Sequence, residues 1–113
     1  MPDLPTAVIF DLDGVIRDWN DDAMYDLEAA FGLPPGTILA VGFGRDLGPA
    51  ATTGRITYRE WMDEIRRRVI GEYGPTVTGA LDEWEANVGM VDTEMLALLR
   101  SVRRHCTAAV LSN

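Results

Sequence analysis

Asp11 and Asp13 stand two residues apart in Asp11-Leu12-Asp13-Gly14, directly after the apolar run Ala7-Val8-Ile9-Phe10. On extended backbone, residues i and i+2 project to the same side, so two carboxylates share a small volume. Two unit charges ~4 Å apart repel by about 4 kcal/mol at an effective dielectric near 20. A fold holds such a pair when a cation sits between them or when one carboxyl keeps a proton. Either arrangement is chemistry: with Mg²⁺ bound, one carboxylate can act as metal ligand and nucleophile and its neighbour as general acid and base. The plain alternative is a hairpin turn at Asp13-Gly14. A hairpin needs a matching second strand, whereas Val15-Ile16-Arg17-Asp18-Trp19-Asn20 leads into a helix signal.

Residues 6–10 and 107–111 are the two short, continuous apolar runs, and their continuity predicts strands buried on both faces of a parallel sheet. In such a sheet ligands bind beyond the carboxyl ends of the strands, which is where Asp11 and Asp13 fall. Nothing between these runs reads as a strand. Asn20 or Asp21 can cap a helix running to Phe31, with Gly32 as its stop, and a short helix is expected around residues 36–42. Residues 42–54 read as loop. Thr57-Tyr58-Arg59-Glu60 is a capping-box pattern, and behind it Tyr58, Trp61, Met62, Ile65 and Val69 form a helical apolar stripe. A further helix over about 79–87 carries Leu81, Trp84 and Val88. Asp92 or Thr93 caps a last helix with Met95, Leu98, Leu99 and Val102 on one face, and with Arg100, Arg103 and Arg104 complementing the dipole at its end. Strand, helices, helix, strand is the order of a βαβ crossover carrying a helical insert.

The 113 residues suffice for one compact domain or part of a larger one, with 47% hydrophobic and 25% charged residues. No apolar run approaches the ~20 residues of a membrane span, and the N-terminus lacks a basic, cleavable leader pattern. The single cysteine, Cys106, suits a reducing cytoplasmic setting. A net charge of −8 argues against nucleic acid as a partner. Eight acidic residues lie between Asp3 and Glu28, with Arg17 as the one basic residue among them. Asp21, Asp22, Asp26 and Glu28 are expected to form a solvated helix face. All ten basic residues are arginine.

Ala7-Val8-Ile9-Phe10-Asp11-Leu12-Asp13-Gly14-Val15-Ile16 resembles the first signature of the haloacid dehalogenase-like hydrolase superfamily, hydrophobics followed by D-x-D-G-[TV]. Ala109-Val110-Leu111-Ser112-Asn113 resembles its second signature, a hydrophobic strand ending in Ser or Thr. The segment between looks like the helical cap of the subfamily that carries its cap after the first strand. The resemblance implies an α/β fold: a partial doubly wound, Rossmann-like parallel sheet formed by residues 1–17 and 91–113, with a helical cap at 18–90. It implies Mg²⁺-dependent hydrolysis of a small phosphorylated metabolite. Asp11 would attack phosphorus to form an aspartyl-phosphate, and Asp13 would protonate the leaving alkoxide and then activate water. Mg²⁺ would sit on Asp11 and Asp13, on the latter through its backbone carbonyl. Ser112, with the backbone near Gly14 and Asn113, would hold the phosphoryl oxygens. Relatives that displace halide from carbon lack the second acid, because halide needs no proton. An alkoxide does, and proton transfer is typically worth ~10²–10⁴-fold, which favours phosphate esters.

The family pattern also has a later lysine and further acids on the metal, and neither occurs within this sequence, which is therefore expected to correspond to the front part of such a hydrolase and to turn over poorly by itself. The same signatures fit a sugar-phosphate mutase, and a non-catalytic Mg²⁺- or phosphate-binding remnant is the non-enzyme alternative. Among lesser candidates, Arg17 and Asp18 are read as linker residues that can face substrate, Arg45 as a loop residue able to meet an anion, and Arg66-Arg67-Arg68 as a solvated run. His105 is assigned no base role, Cys106 is read as a small core residue, and Tyr58, Trp61 and Trp84 as the insert's own core.

Overall fold

The computed structural model describes residues 3–112. The elements are β1 (Ala7–Asp11), β2 (Arg17–Asp18), α1 (Asp21–Ala30), α2 (Thr37–Gly42), α3 (Leu47–Thr52), α4 (Tyr58–Tyr73), a 3-10 turn at Pro75–Val77, α5 (Thr78–Ala86), β3 (Met90–Val91), α6 (Thr93–Val102) and β4 (Thr107–Leu111). They form two compact units, one from residues up to Asn20 and from Val88 on, the other from Asp21–Asn87. The architecture is mixed α/β, mostly helical, with one small parallel sheet of two strands. No helix among the described residues is long and apolar enough to cross a membrane.

In the first unit β1 and β4 pair in parallel, Ala7 opposite Thr107 through Asp11 opposite Leu111. Parallel neighbours need a crossover, and α6, directly ahead of β4, packs against that strand. Asp92 starts α6: its side chain accepts the Met95 N–H at 3.0 Å. Alternation along β1 buries Phe10 and half-buries Val8, while Ile9 is 67% exposed and Leu111 is 64% exposed. The expectation of burial on both faces therefore fails for the described residues, because α6 covers one face only. On α6 Leu98 is 50% exposed, and Leu96 takes its place among the half-buried positions beside Met95, Leu99 and Val102. Arg103 and Arg104 lie beyond the end of the helix.

A second, two-residue pairing was not legible in the sequence. Arg17 and Asp18 of β2 run antiparallel to Val91 and Met90 of β3, and the Asp92 N–H reaches the Ile16 carbonyl at 2.7 Å. The strands are too short for a propensity signal, and tertiary pairing alone defines them.

The helical unit has its own core. Ile38, Met62, Ile65, Val69, Val77, Ala80 and Leu81 are almost wholly buried, with Trp61 and Leu47 close behind. The α4 stripe builds most of it, although Tyr58 at the helix start is 59% exposed. The capping box is formed: Thr57 Oγ1 accepts from Glu60 N–H at 3.1 Å, and a Glu60 carboxylate oxygen accepts from Thr57 N–H at 2.7 Å. Trp61 donates its indole N–H to the Gly42 carbonyl at 2.7 Å and lies 5.9 Å, ring to ring, from both Tyr58 and Trp84. Gly42 is required by that approach, since a Cβ there would fall 2.9 Å from Trp61 and Ile65 side-chain atoms. Residues 47–52 form α3 where a loop was expected. Pro49 stands within its first turn, where a missing N–H costs nothing. Val88 lies beyond α5 and is 74% exposed.

Two charge expectations are corrected. Glu28 is 2% exposed, not part of a solvated face: Oε1 accepts the Gly36 N–H at 3.0 Å and Oε2 the Ile38 N–H at 3.1 Å. It satisfies orphan donors at the start of α2 from the neighbouring helix, which is why a buried carboxylate is tolerated. The Arg66-Arg67-Arg68 run is paired rather than merely solvated. Arg66 reaches Asp82 and Glu85, Arg67 reaches Glu64, and Arg68 reaches Glu64 and Asp46, at 2.6–2.8 Å.

Replacing Glu28 by Ala leaves a buried N–H group at Ile38 and a half-buried one at Gly36 unmatched. The expected loss is about 2–4 kcal/mol of unfolding free energy, with Glu28→Gln losing less, both read from denaturant melts. The ion pairs give an acid-dependent stability. Hydrogen bonds from Arg68 and then from the Leu47 N–H lower Asp46 from 3.8 to about 2. Hydrogen bonds from Arg67 and Arg68 lower Glu64 from 4.5 to about 2. Each carboxylate holds its proton less readily folded than unfolded, so its contribution is full above about pH 5 and is lost as the pH falls through about 2. The melting temperature at low salt should fall across that window. The fall should be shallower in Asp46→Asn/Glu64→Gln and in high salt, because the pairs are solvent-exposed.

Candidate active site

The site is built where β1 ends. Asp11 is the last residue of the strand, exposed at its carboxyl end, and its carboxylate forms no hydrogen bond or ion pair with another described residue. The ladder runs one step further, with Leu12 N–H donating to Leu111 O at 3.2 Å. Asp11 and Ser112 thus stand at the same end of the two paired strands. Asn113 lies outside the described residues.

Immediately after Asp11 the backbone turns. The Leu12 carbonyl accepts N–H groups from Val15, Ile16 and Arg17 at 3.4, 3.0 and 2.8 Å, and Gly14 N–H donates to Arg17 O at 2.8 Å. Gly14 takes φ 79°, a left-handed conformation that glycine adopts without steric cost. The alternation expected to align Asp11 with Asp13 therefore ends at Asp11, and Asp13 is placed by this turn. The turn is no hairpin either, since Arg17 and Asp18 leave to pair with β3.

The Asp13 carboxylate has two donors on one oxygen. Oδ1 accepts from Arg17 Nε at 2.8 Å and from Trp19 Nε1 at 2.9 Å. The Arg17 guanidinium carbon lies 4.2 Å from the Trp19 ring centroid, a cation–π stack. Arg17 is thus more than a linker residue, and Trp19 has a place at the site that the sequence reading missed. A signal was present: Arg17 is the lone base in an acidic stretch, next to a Trp whose N–H needs an acceptor. Asp18 accepts the Asn20 N–H at 2.9 Å and turns the chain toward α1.

The described residues hold no group of three or more His, Cys, Asp or Glu side chains placed to bind a metal. What they offer is the Asp11 carboxylate and the main chain at Asp13. The described residues therefore provide no full protein cage for a metal ion.

Other candidates lie elsewhere. Arg45 is exposed in the turn before α3. A shallow groove of about 640 Å³ in the helical unit is lined by Asp46, Arg67, Arg68 and Glu72 among others, but its arginines already face Asp46 and Glu64. His105 is exposed, and the half-buried Cys106 thiol points to the Val102 carbonyl at 3.7 Å.

No protein-family model matches the sequence, and no curated protein is significantly similar to it.

Gly89 sets the space beside Arg17. It has φ 73°, and a Cβ there would fall 2.7 Å from Arg17 Cγ and 2.9 Å from Asp18 O. Gly89→Ala should cost about 1–3 kcal/mol through strain and the displaced Arg17 stem, measured by thermal melting.

Proposed function

We propose that this chain carries the nucleophile and the general acid/base of a haloacid dehalogenase-like phosphate-ester hydrolase, on part of a doubly wound, Rossmann-like sheet with a helical cap insertion. One observation carries the reading: Asp11 ends a parallel strand opposite Leu111, the last residue of its neighbour, so that Ser112 follows directly there and Asp13 lies in the turn after Asp11. A parallel sheet places ligands at this end. Asp11 has an exposed carboxylate with no competing partner among the described residues, as a nucleophile requires.

In the proposed reaction an Asp11 oxygen forms a bond to phosphorus as the bond from phosphorus to the alkoxide breaks, and Asp13 gives that alkoxide its proton. Asp13 then takes a proton from water as the water oxygen attacks phosphorus and the Asp11 carboxylate leaves. The Ser112 hydroxyl is a donor for the phosphoryl oxygens, whereas the Gly14 N–H is already given to the Arg17 carbonyl at 2.8 Å. Mg²⁺, held by Asp11 and the Asp13 carbonyl, would shield the negative charge that the carboxylate and phosphoryl group bring together. Arg17 and Trp19 orient Asp13, leaving its second oxygen for the proton. The substrate is a small phosphorylated metabolite, and the lone cysteine suits a reducing, cytoplasmic setting.

A second reading, a non-catalytic Mg²⁺- or phosphate-binding module, is favoured by one feature: no lysine and no third acid accompany Asp11 and Asp13 among the described residues. Electrostatic stabilisation is usually the largest catalytic contribution, so turnover is expected to be slow.

Hydrolysis of p-nitrophenyl phosphate separates the two. The first reading expects slow, Mg²⁺-dependent release of nitrophenolate, abolished in Asp11→Asn and reduced about 10²–10⁴-fold in Asp13→Asn. Release that is indifferent to Asp11 overturns it. Phosphate binding without any release favours the binding module.

A further inference from the structure

Arg17 is held from several sides and left open on one. Its N–H donates to the Leu12 carbonyl and its own carbonyl accepts from Gly14, both at 2.8 Å, while its backbone pairs with Val91. Its stem lies against Gly89, where no side chain fits. Its Nε is taken by Asp13 Oδ1, and its plane is stacked 4.2 Å from the centre of the Trp19 ring. Neither Nη1 nor Nη2 donates a hydrogen bond to a described residue, and the side chain is 31% exposed. A guanidinium fixed in this way has lost most of its rotamer freedom before any ligand arrives. Its outer edge still presents parallel N–H groups in the geometry that matches two oxygens of a phosphate.

Its charge surroundings sharpen the point. From Asp3 to Glu28 Arg17 is the only basic residue, and the sequence has no lysine. A phosphoryl group brought to the end of β1 meets the negative charges of Asp11 and Asp13, and Arg17 is the cation bonded directly to Asp13. An anion that bridges to the Nη edge gains charge-assisted hydrogen bonds without breaking the bond at Nε.

We propose that Arg17, braced by Trp19 and Asp13, is the anion-recognition residue of this site and contacts the phosphoryl oxygens of the substrate through Nη1 and Nη2. The assignment rests on the placing of the site at the end of β1 under the proposed function, and it adds a specificity-determining contact in a role the other site residues do not fill. Both a phosphate and a carboxylate offer two oxygens to such a fork, and the contact favours phosphate through the greater negative charge of its dianion. Lysine, a point charge without the fork or the stack, substitutes poorly.

The test is a calorimetric titration of the Asp11→Asn chain with inorganic phosphate, and with acetate as the carboxylate comparison. Asp11→Asn removes one repelling carboxylate and prevents turnover. Phosphate should bind, and more tightly than acetate. Arg17→Met should weaken phosphate binding by about tenfold or more, and Arg17→Lys by about threefold, with circular dichroism unchanged. Trp19→Phe keeps a stacking ring and should stay within about twofold of the parent. No phosphate binding by the parent, or equal binding by parent and Arg17→Met, overturns the proposal. If Arg17→Met does not fold, Arg17→Lys decides, and an undiminished affinity there overturns it equally. Arg17-dependent phosphate binding by a chain that hydrolyses no ester leaves this inference standing and removes the catalytic reading. Hydrolysis lost in Asp11→Asn, together with Arg17-independent binding, does the reverse.

Discussion

The parallel ladder between Ala7–Asp11 and Thr107–Leu111 is the constraint on which the rest of the structure depends. It joins the two ends of the described chain, so everything between them must leave and return. Parallel strands cannot be joined by a tight turn, and α6 supplies the crossover helix before β4. The long helical excursion is closed by a second, smaller device: Arg17–Asp18 against Met90–Val91, with Asp92 N–H on the Ile16 carbonyl. Closing a loop costs entropy that grows only with the logarithm of its length, so an insert of this size is tolerable once its two stems are pinned together. The same pinning holds Arg17, and through Arg17 it positions the Asp13 carboxylate.

Burial is distributed unevenly between the two units. The helical unit encloses Ile38, Met62, Ile65 and Leu81 and satisfies its buried Glu28 with two main-chain donors. Its arginines are tied into a lattice with Asp46, Glu64, Asp82 and Glu85, which adds order more than free energy where the pairs are exposed, while the Arg66–Glu85 pair is part-buried. The sheet unit buries Phe10 and Ile16 and leaves Ile9 and Leu111 in solvent. The Asp11 carboxylate at the end of β1 is likewise exposed.

Much of this was readable along the chain because the signals are local. The Thr57–Glu60 box, the spacing of Trp61, Met62, Ile65 and Val69, and the Asp92 cap each depend on residues within one or two helical turns, and all three formed. The two apolar runs announced β1 and β4, and the acids after Phe10 marked a strand end. What failed to show depends on partners distant in sequence. Glu28 looks like one acid among several until α2 brings the Gly36 and Ile38 amides over it. Leu98 fits the helical stripe of α6, yet the sheet beneath is too narrow to cover it.

By itself the sequence determined the helices with strong caps, the two apolar strands, and the placing of a D-x-D-G pair at the end of the first, because hydrophobic periodicity and capping act over a few residues. Only the tertiary structure decided that Asp13 leaves the strand's alternation and binds Arg17 and Trp19, and that Glu28 is interior. The Asp13 contacts span only four and six residues, yet they depend on the turn at Leu12 and Gly14 that breaks the strand's alternation, and Glu28 becomes interior only when the start of α2 brings its amides over the carboxylate.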